Sequence, residues 1–469
     1  MGLVARISVL MIVVCGCDGV FGLDRVRKVE ASCTLDQECV RGVIQGRCDC
    51  GFCSYPDQDC ATTNRRWHAA AEGELGDACV AVPDQIDARV YHTCVVMSDG
   101  TAWCWGWNLD AQLGAGQELD VDSTIPIRVT ASDGTPVGEL TEIGTGALST
   151  CAMRGDSVVC WGGNAGGQLG AGLPIGDGMR SVDPVEVSTG TSALTGVTAL
   201  TVGFRHACAR VGSTQLFCWG DNARGQVGDG TTTIRNVAVP VQGLPAGEIR
   251  FIGAGGEHSC AVIRESSTLT STWCWGRQFD GRLGNGTEAE GAVPIPQHVQ
   301  LTGGGFLPDV QGLAVGAKHT CAIRHTPFVG PELYCWGFNA EGAIGDGTRM
   351  WRVRATKVMA PAGETAHLAS DDLHTCGDIG PDLWCWGSDE VGQIGDGPDD
   401  STSKLLPVRV IMNAAVRELT AGFRYTCSLG NDRRIQCWGA NDRGQLGIAS
   451  TANQHVPTEI SATAFCPMP

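Results

Sequence analysis

From residue 79 onward, apolar and β-branched residues come in short runs bounded by Gly, Pro, Asn and Asp. That grammar predicts strands and turns. No long segment has apolar residues at a 3.6-residue period, so amphipathic helices are not expected. The runs fall in groups of four. In one group, Thr198–Gly203 leads to His206–Ala209, a turn leads to Leu216–Gly220, a glycine-rich bend covers 222–230, and a last run centres on Pro240–Val241. Pro126, Pro184, Pro294, Pro407 and Pro457 mark the same closing run elsewhere. Proline cannot donate to a ladder, so this fourth strand belongs at a sheet edge. The group recurs at a period of about 50–60 residues, which signals radial or stacked units.

Each of seven units carries two cysteines, and Trp-Gly follows the second. The pairs are Cys94 with Cys104, Cys151 with Cys160, Cys208 with Cys218, Cys260 with Cys274, Cys321 with Cys335, Cys376 with Cys385, and Cys427 with Cys437. With a hairpin turning at Asp99–Gly100, Cys94 and Cys104 sit directly opposite, where a disulfide can close. Each short loop contributes about 3 kcal/mol in the chain-entropy treatment.

The repeated phrase Gly-x-x-His-x-Cys, then Cys-Trp-Gly-x-Asn-x-x-Gly-Gln-Leu-Gly, resembles the repeat of the regulator of chromosome condensation family over roughly residues 83–460. The resemblance implies an all-β, seven-bladed propeller of four-stranded blades. Ser149 and Tyr425 depart from the His, Ala111 from a bend glycine, and Gln278 and Asp389 from the Asn. Repeats four and five carry longer turns, at 265–272 and 325–332.

The 24 cysteines place the chain in an oxidising compartment. Its start agrees: Arg6, then the apolar run Ile7–Val14, then Val14-Cys15-Gly16-Cys17. This is similar to a bacterial lipobox, with 1–16 as signal peptide and Cys17 acylated; an ordinary secretory signal cut nearby is the alternative. The run is too short to span a bilayer. A linker at 17–32 precedes a compact block at 33–60 holding Cys33, Cys39, Cys48, Cys50, Cys53 and Cys60. Six cysteines allow 15 pairings. Disulfides are the expectation there, with zinc at Cys48-x-Cys50-x-x-Cys53 as the competing reading. Residues 61–78 form a second linker, and the propeller spans 79–466. Cys79 and Cys466, left over at its ends, are expected to clasp the ring, worth about 6 kcal/mol as an upper figure.

The Trp of each Trp-Gly step and the five histidines His92, His206, His258, His319 and His374 are read as packing and hydrogen-bonding elements held in separate blades. Asp229, Asp346 and Asp396 stand in Gly-Asp-Gly turns without a calcium ladder. Asp371–Asp372 and Asp399–Asp400 read as solvated loops. No catalytic motif is present, so no catalytic, cofactor-binding or metal residue is assigned. The net charge of −18, with no basic cluster, argues against nucleic acid.

These features describe a non-enzymatic binding or scaffolding propeller, exported and lipid-anchored in the cell envelope, that recognises a protein or glycan through loops on one ring face. The alternative is a proteinaceous enzyme inhibitor, as for a secreted propeller that blocks β-lactamases. Guanine nucleotide exchange, which the family resemblance also implies, is a remote third. Replacing Cys17 by Ser is expected to move the protein from the membrane to the soluble fraction. Fractionation that leaves the variant on the membrane overturns the lipobox assignment.

Overall fold

The computed structural model describes residues 81–465 except 117–119, 327–328, 398–400 and 413–414, and five short strands before them. Two units result, Pro83–Ser461 and the flanking Met1–Val82 with Ala462–Pro469. In the flanking unit, Val40–Arg41 pairs with Ile44–Gln45. Arg47–Asp49, Phe52–Pro56 and Arg65–Trp67 form a three-stranded sheet whose register sets Cys48 opposite Cys53. The expectations for Cys17, Cys33, Cys39, Cys50, Cys60, Cys79 and Cys466 fall outside the described residues, as do the side chains of Cys48 and Cys53.

Pro83–Ser461 is a seven-bladed propeller. Its sheets each contain four consecutive antiparallel strands in chain order. Blade one comprises Pro83–Arg89, His92–Met97, Ala102–Gly106 and Ser123–Arg128. The other blades span 140–186, 197–240, 248–298, 310–357, 368–410 and 416–459. First strands line the axis and fourth strands form the outer edge. The closing-run prolines occupy that edge, as Pro126 does in Ser123–Arg128 and Pro240 in Arg235–Pro240. Part of each longer turn expected in repeats four and five is strand. His258–Arg264 pairs with Thr270–Arg277, and His319–Thr326 with Gly330–Gly337, so the hairpins lengthen and the connections stay short.

All seven cysteine pairs of the blades lie directly opposite in the second and third strands. Cys94 is disulfide-bonded to Cys104, Cys151 to Cys160, Cys208 to Cys218 and Cys260 to Cys274. Cys321 is bonded to Cys335, Cys376 to Cys385 and Cys427 to Cys437. The paired Cα atoms are 4.0–4.1 Å apart throughout. All of these cysteines are buried, so each bridge pins a blade from within.

Between blades the joints are non-covalent and repeat with the sequence. The bend after each third strand points a backbone carbonyl at the next blade. Gln112 O accepts Trp161 Nε1 at 3.0 Å and Thr150 Oγ1 at 2.8 Å. Gln226 O accepts Trp275 Nε1 and Ser259 Oγ likewise. Two donors fill both lone pairs of one carbonyl, which suits a buried acceptor. Glycine is required two residues on. A Cβ at Gly228, where φ is +79°, would lie 2.5 Å from Trp275 Nε1, and one at Gly170 would lie 2.6 Å from the Trp219 ring. The bend braces itself. Asn222 Oδ1 accepts Val227 N at 3.0 Å, and Gln226 Oε1 accepts Arg224 N at 2.9 Å.

The histidines complete the joint. His92 Nε2 meets Thr150 Oγ1 of the next blade, and His206 meets Ser259, His258 Thr320, His319 Thr375 and His374 Thr426, all at 2.7–2.9 Å. Thr150, Ser259, Thr375 and Thr426 spend their own proton on a bend carbonyl, so Nε2 carries the hydrogen and donates to them. At the closing joint Tyr425 takes the histidine's place. Its hydroxyl donates to His92 O at 2.8 Å and lies 3.0 Å from Thr93 Oγ1. Trp105 Nε1 reaches Gln445 O at 2.9 Å across the same seam. The ring therefore closes, among the described residues, by the contacts that join its other blades.

One joint lacks the bond. Ser149 stands where blade two needs the ring, and Ala207 stands where blade three needs the hydroxyl. The two departures cancel, since neither leaves an orphan. Buried Leu169, Val187, Leu194, Val202 and Trp219 fill this joint instead.

Burial pushes His92, His206 and His319 down to about 3 and His374 to about 4. A folded value below the unfolded one means stability that is present above pH 6.5 and drains as pH falls toward 3 to 4. The loss is about 1.4 kcal/mol per histidine for each pH unit. Glu142 and Asp371, raised to about 7 by burial, act in the opposite sense, so the test must be differential. His206→Gln keeps an N–H for Ser259 but cannot titrate. Thermal melts should show the parent losing its advantage over this variant between pH 6.5 and 4; a constant gap would reject the assignment. Separately, Ser149→His with Ala207→Thr should stabilise by about 0.5–1.5 kcal/mol more than the two single changes summed. Denaturant titrations giving strict additivity would contradict the joint described here.

Candidate functional site

Consecutive antiparallel strands put the turn after the first strand and the bend after the third at one end of every blade. All seven bends therefore share one face of the ring. Two aromatic groups stand on it. Tyr91 packs edge-on against Trp107 at 5.6 Å and Phe423 at 5.3 Å. Trp351 contacts Phe279 at 5.4 Å and Phe338 at 5.7 Å. Cations cover them: Arg443 lies over Trp107, Lys318 over Phe338 and Arg277 over Phe279. These rings are partly exposed, unlike the seven Trp-Gly tryptophans, which are fully buried. Glu257 sits among three arginines, 2.6 Å from Arg277, 3.7 Å from Arg282 and 3.8 Å from Arg224. Arginine and large aromatics are the residue types that anchor protein interfaces.

The Gly-Asp-Gly carboxylates brace the bends. Asp229 accepts from Thr231 and Arg235, and Asp346 from Thr348 and Arg352, which holds both carboxyls below their ordinary value. Among the described residues, no group of three or more His, Cys, Asp or Glu is placed to hold a metal.

The axis holds the chemistry that repeat reading missed. Just before the histidine turn, five blades carry glycine: Gly146, Gly203, Gly255, Gly316 and Gly422. Side chains are excluded there, since a Cβ at Gly203 would lie 2.4 Å from Gly255 O. Two blades break the rule. Blade one has Arg89 and blade six has Asp371, and they face each other at 3.7 Å. Asp371–Asp372 is thus not a solvated loop. Both residues are buried, Asp371 at the end of an axial strand and Asp372 in the turn that follows it. Burial raises Asp371 to about 7, and Asp372 adds to the rise while Arg89 opposes it. The amides of Val90 and Asp372 approach its carboxylate, although neither closes a hydrogen bond of ordinary geometry. Asp372 is raised mainly by burial and pairs with Lys318 at 3.1 Å. A comparison of the seven repeats at this one position would have found the pair.

Below Arg89 lies an open axial pocket of about 140 Å³, lined by polar Asp87, Arg89, Thr201, Ser370 and Thr420 among apolar residues both small, such as Ala254 and Ala369, and large, such as Ile252 and Leu313.

Profiles of the "Regulator of chromosome condensation (RCC1) repeat" match residues 99–153, 214–262, 271–323 and 434–467, and a second profile of that description matches 85–112 and 197–226. The chain carries regulator of chromosome condensation repeats. Among curated proteins, the ultraviolet-B receptor UVR8 of Arabidopsis thaliana is 28% identical over 324 residues, covering 68% of this chain and 69% of the receptor. The probable E3 ubiquitin-protein ligase HERC6 of Homo sapiens is 26% identical over 54% of this chain, which spans only 24% of that ligase. Two solved structures share the fold at 17% identity. The structure of Kap60 bound to yeast RCC1 (Prp20) has a TM-score of 0.64, covering 82% of this chain and 86% of that one. Human WBSCR16 has a TM-score of 0.63, covering 77% and 94%.

Proposed function

We propose that this propeller is a non-catalytic protein-binding scaffold whose partner docks on the bend face. The observation that carries the reading is the pair of cation-capped aromatic groups, Tyr91–Trp107–Phe423 and Phe279–Phe338–Trp351, presented on a frame of disulfide-pinned blades. Rigid aromatic anchors lose little conformational entropy on docking, and cations at their rims add specificity. The names of similar proteins point the same way: one structure has a yeast RCC1 with Kap60 bound, and another title reports binding of Prp20p to Gsp1p and histones.

The place of action in this proposal is an exported, lipid-anchored position in the cell envelope, with Cys17 as the anchor. Fourteen cysteines paired in seven bridges support export, since thiols are kept reduced in the cytosol. Inhibition of an enzyme is the second reading, and the same aromatic face favours it, because inhibitors bind through such anchors. A nucleotide exchanger of the cytosolic kind fits this oxidised chain poorly.

Affinity capture from envelope extract tests the reading. The parent should retain a partner that Trp107→Ala and Trp351→Ala each release, with at least about a thirtyfold loss of affinity, as for an interface anchor. Phe306→Ala, exposed on a loop of the opposite face, should retain it. A partner kept by both tryptophan variants would move the interface elsewhere, and a captured hydrolase whose activity falls would select the inhibitor reading.

A further inference from the structure

We propose that Phe306 is a stacking platform for a neutral hexopyranose unit of a glycan, with Glu265 accepting hydroxyl groups at its edge. Three rings stand in file on blade four, at the face opposite the bends. Trp273 and His298 are direct cross-strand partners with ring centroids 3.7 Å apart, and Phe306 stacks on His298 at 4.2 Å and 30°. Phe306 ends the file and is 55% exposed. One face of its ring is spent on His298, so the other is open to solvent.

The file breaks the repeat at two positions. Where blade four has His298, the other blades place Arg128, Glu186, Pro240, Lys357, Arg409 and Glu459, none of them aromatic. In the connection that follows, the bridges Thr130–Pro136 and Ser188–Ala193 of blades one and two correspond to Gln300–Phe306. The ring of blades thus demands no phenylalanine there, yet the loop is built to hold it. Leu301 N bonds Gly305 O at 3.0 Å, Leu307 N bonds Val299 O at 2.9 Å, and Thr302 N bonds Ala355 O of blade five at 3.1 Å. A Cβ added at Gly303, Gly304 or Gly305 would meet no atom within 4 Å, so the loop tip leaves open space around the ring.

A carboxylate is fixed beside the stack. Trp273 Nε1 donates to Ser271 Oγ at 2.8 Å, and the Ser271 hydroxyl donates to Glu265 Oε1. The charge of Glu265 reaches His298. Among the described residues, Oε2 of Glu265 accepts no hydrogen bond. A protein partner is the poorer fit, because one ring in a glycine loop offers less apolar area than an interface core needs. A pyranose fits better. One of its faces presents C–H groups over the area of a single ring, and its perimeter carries hydroxyls that need acceptors. The carboxylate selects a neutral sugar over an acidic one. A ring already held in place loses little entropy on binding.

The platform lies on the face away from the bends, so it stands or falls apart from the partner reading. Isothermal titration of the oxidised full chain with cellohexaose, maltohexaose and hexa-N-acetylchitohexaose tests it, with hexagalacturonate as the acidic comparator. Expected is saturable binding of at least one neutral oligosaccharide, about tenfold weaker to Phe306→Ala and kept by Phe306→Trp. Glu265→Ala should weaken it severalfold. Far-ultraviolet circular dichroism checks folding, and Phe306→Ala carries the test if Glu265→Ala does not fold. No saturable heat with any of the three neutral oligosaccharides overturns the proposal. Unchanged affinity in folded Phe306→Ala places the sugar elsewhere and also overturns it, as does hexagalacturonate binding as tightly as the neutral sugars.

Discussion

The structure depends on one repeated acceptor, the carbonyl of the bend residue that faces the next blade. Tryptophan N–H and threonine or serine O–H both terminate on it, as at Gln112 and Gln226. Neither donor could arrive if the nearby glycine carried a side chain, because a Cβ at Gly228 would occupy the space of the Trp275 ring edge. The Gly-Gln-Leu-Gly and Trp-Gly phrases are thus two halves of one contact made between blades. The last bend glycine and the Trp-Gly step occur together in every repeat because of the ring: each blade supplies a bend to one neighbour and a tryptophan to the other.

Covalent and non-covalent constraints divide the work. A disulfide between adjacent strands, such as Cys94 to Cys104, restricts the unfolded chain over about ten residues and stabilises the hairpin that contains it. It does nothing for the angle between blades. That angle is set by the carbonyl contacts, the histidine belt and side chains on the axial strands. Gln85 and Asp87 accept the amides of Ile143 and Thr145, and Glu418 and Thr420 accept those of Ile86 and Ala88. Reduction would loosen blades one by one, whereas loss of the belt would loosen the ring as a whole. The blade two to three joint shows that the belt admits an apolar substitute when both members change together. A histidine left facing Ala207 would be a buried donor without an acceptor, costing about 1–3 kcal/mol.

Much of this was legible in the chain. The spacing of Cys94 and Cys104 fixed the hairpin register, because a turn centred on Asp99 leaves those positions opposed. The wider spacing of Cys260 to Cys274 and of Cys321 to Cys335 was legible too, but its extra residues extend the paired strands and not the turn. The closing-run prolines assigned the edge strand, because proline is excluded from any other. The packing role of the tryptophans followed from their fixed register, and six of the seven indole N–H groups do find the neighbouring carbonyl. What escaped was what depends on position around the axis. Asp371–Asp372 resembles a solvated acidic turn when read locally. Its burial, and its pairing with Arg89 some 280 residues earlier, require knowing that five blades put glycine there. The aromatic face escaped for a related reason. Tyr91, Trp107, Phe279 and Phe338 fill unspecified positions of the repeated phrase, and Trp351 lies beyond it, so no repeat signal marks them.

That division carries the functional argument. Positions that repeat satisfy a demand every blade makes, so they report on the wheel. Positions that break the repeat are free of that demand, and a side chain there persists only through what it does itself. Ser149 with Ala207 breaks the repeat neutrally and is filled by packing. Arg89 with Asp371 breaks it with two charges in a buried place, where desolvation works against both and their own contact is too long to compensate fully. Charges so placed carry a desolvation cost that the ring itself does not require. That cost, borne where five other blades put glycine, marks Arg89 and Asp371 as the positions at which the hub departs from what the ring alone requires.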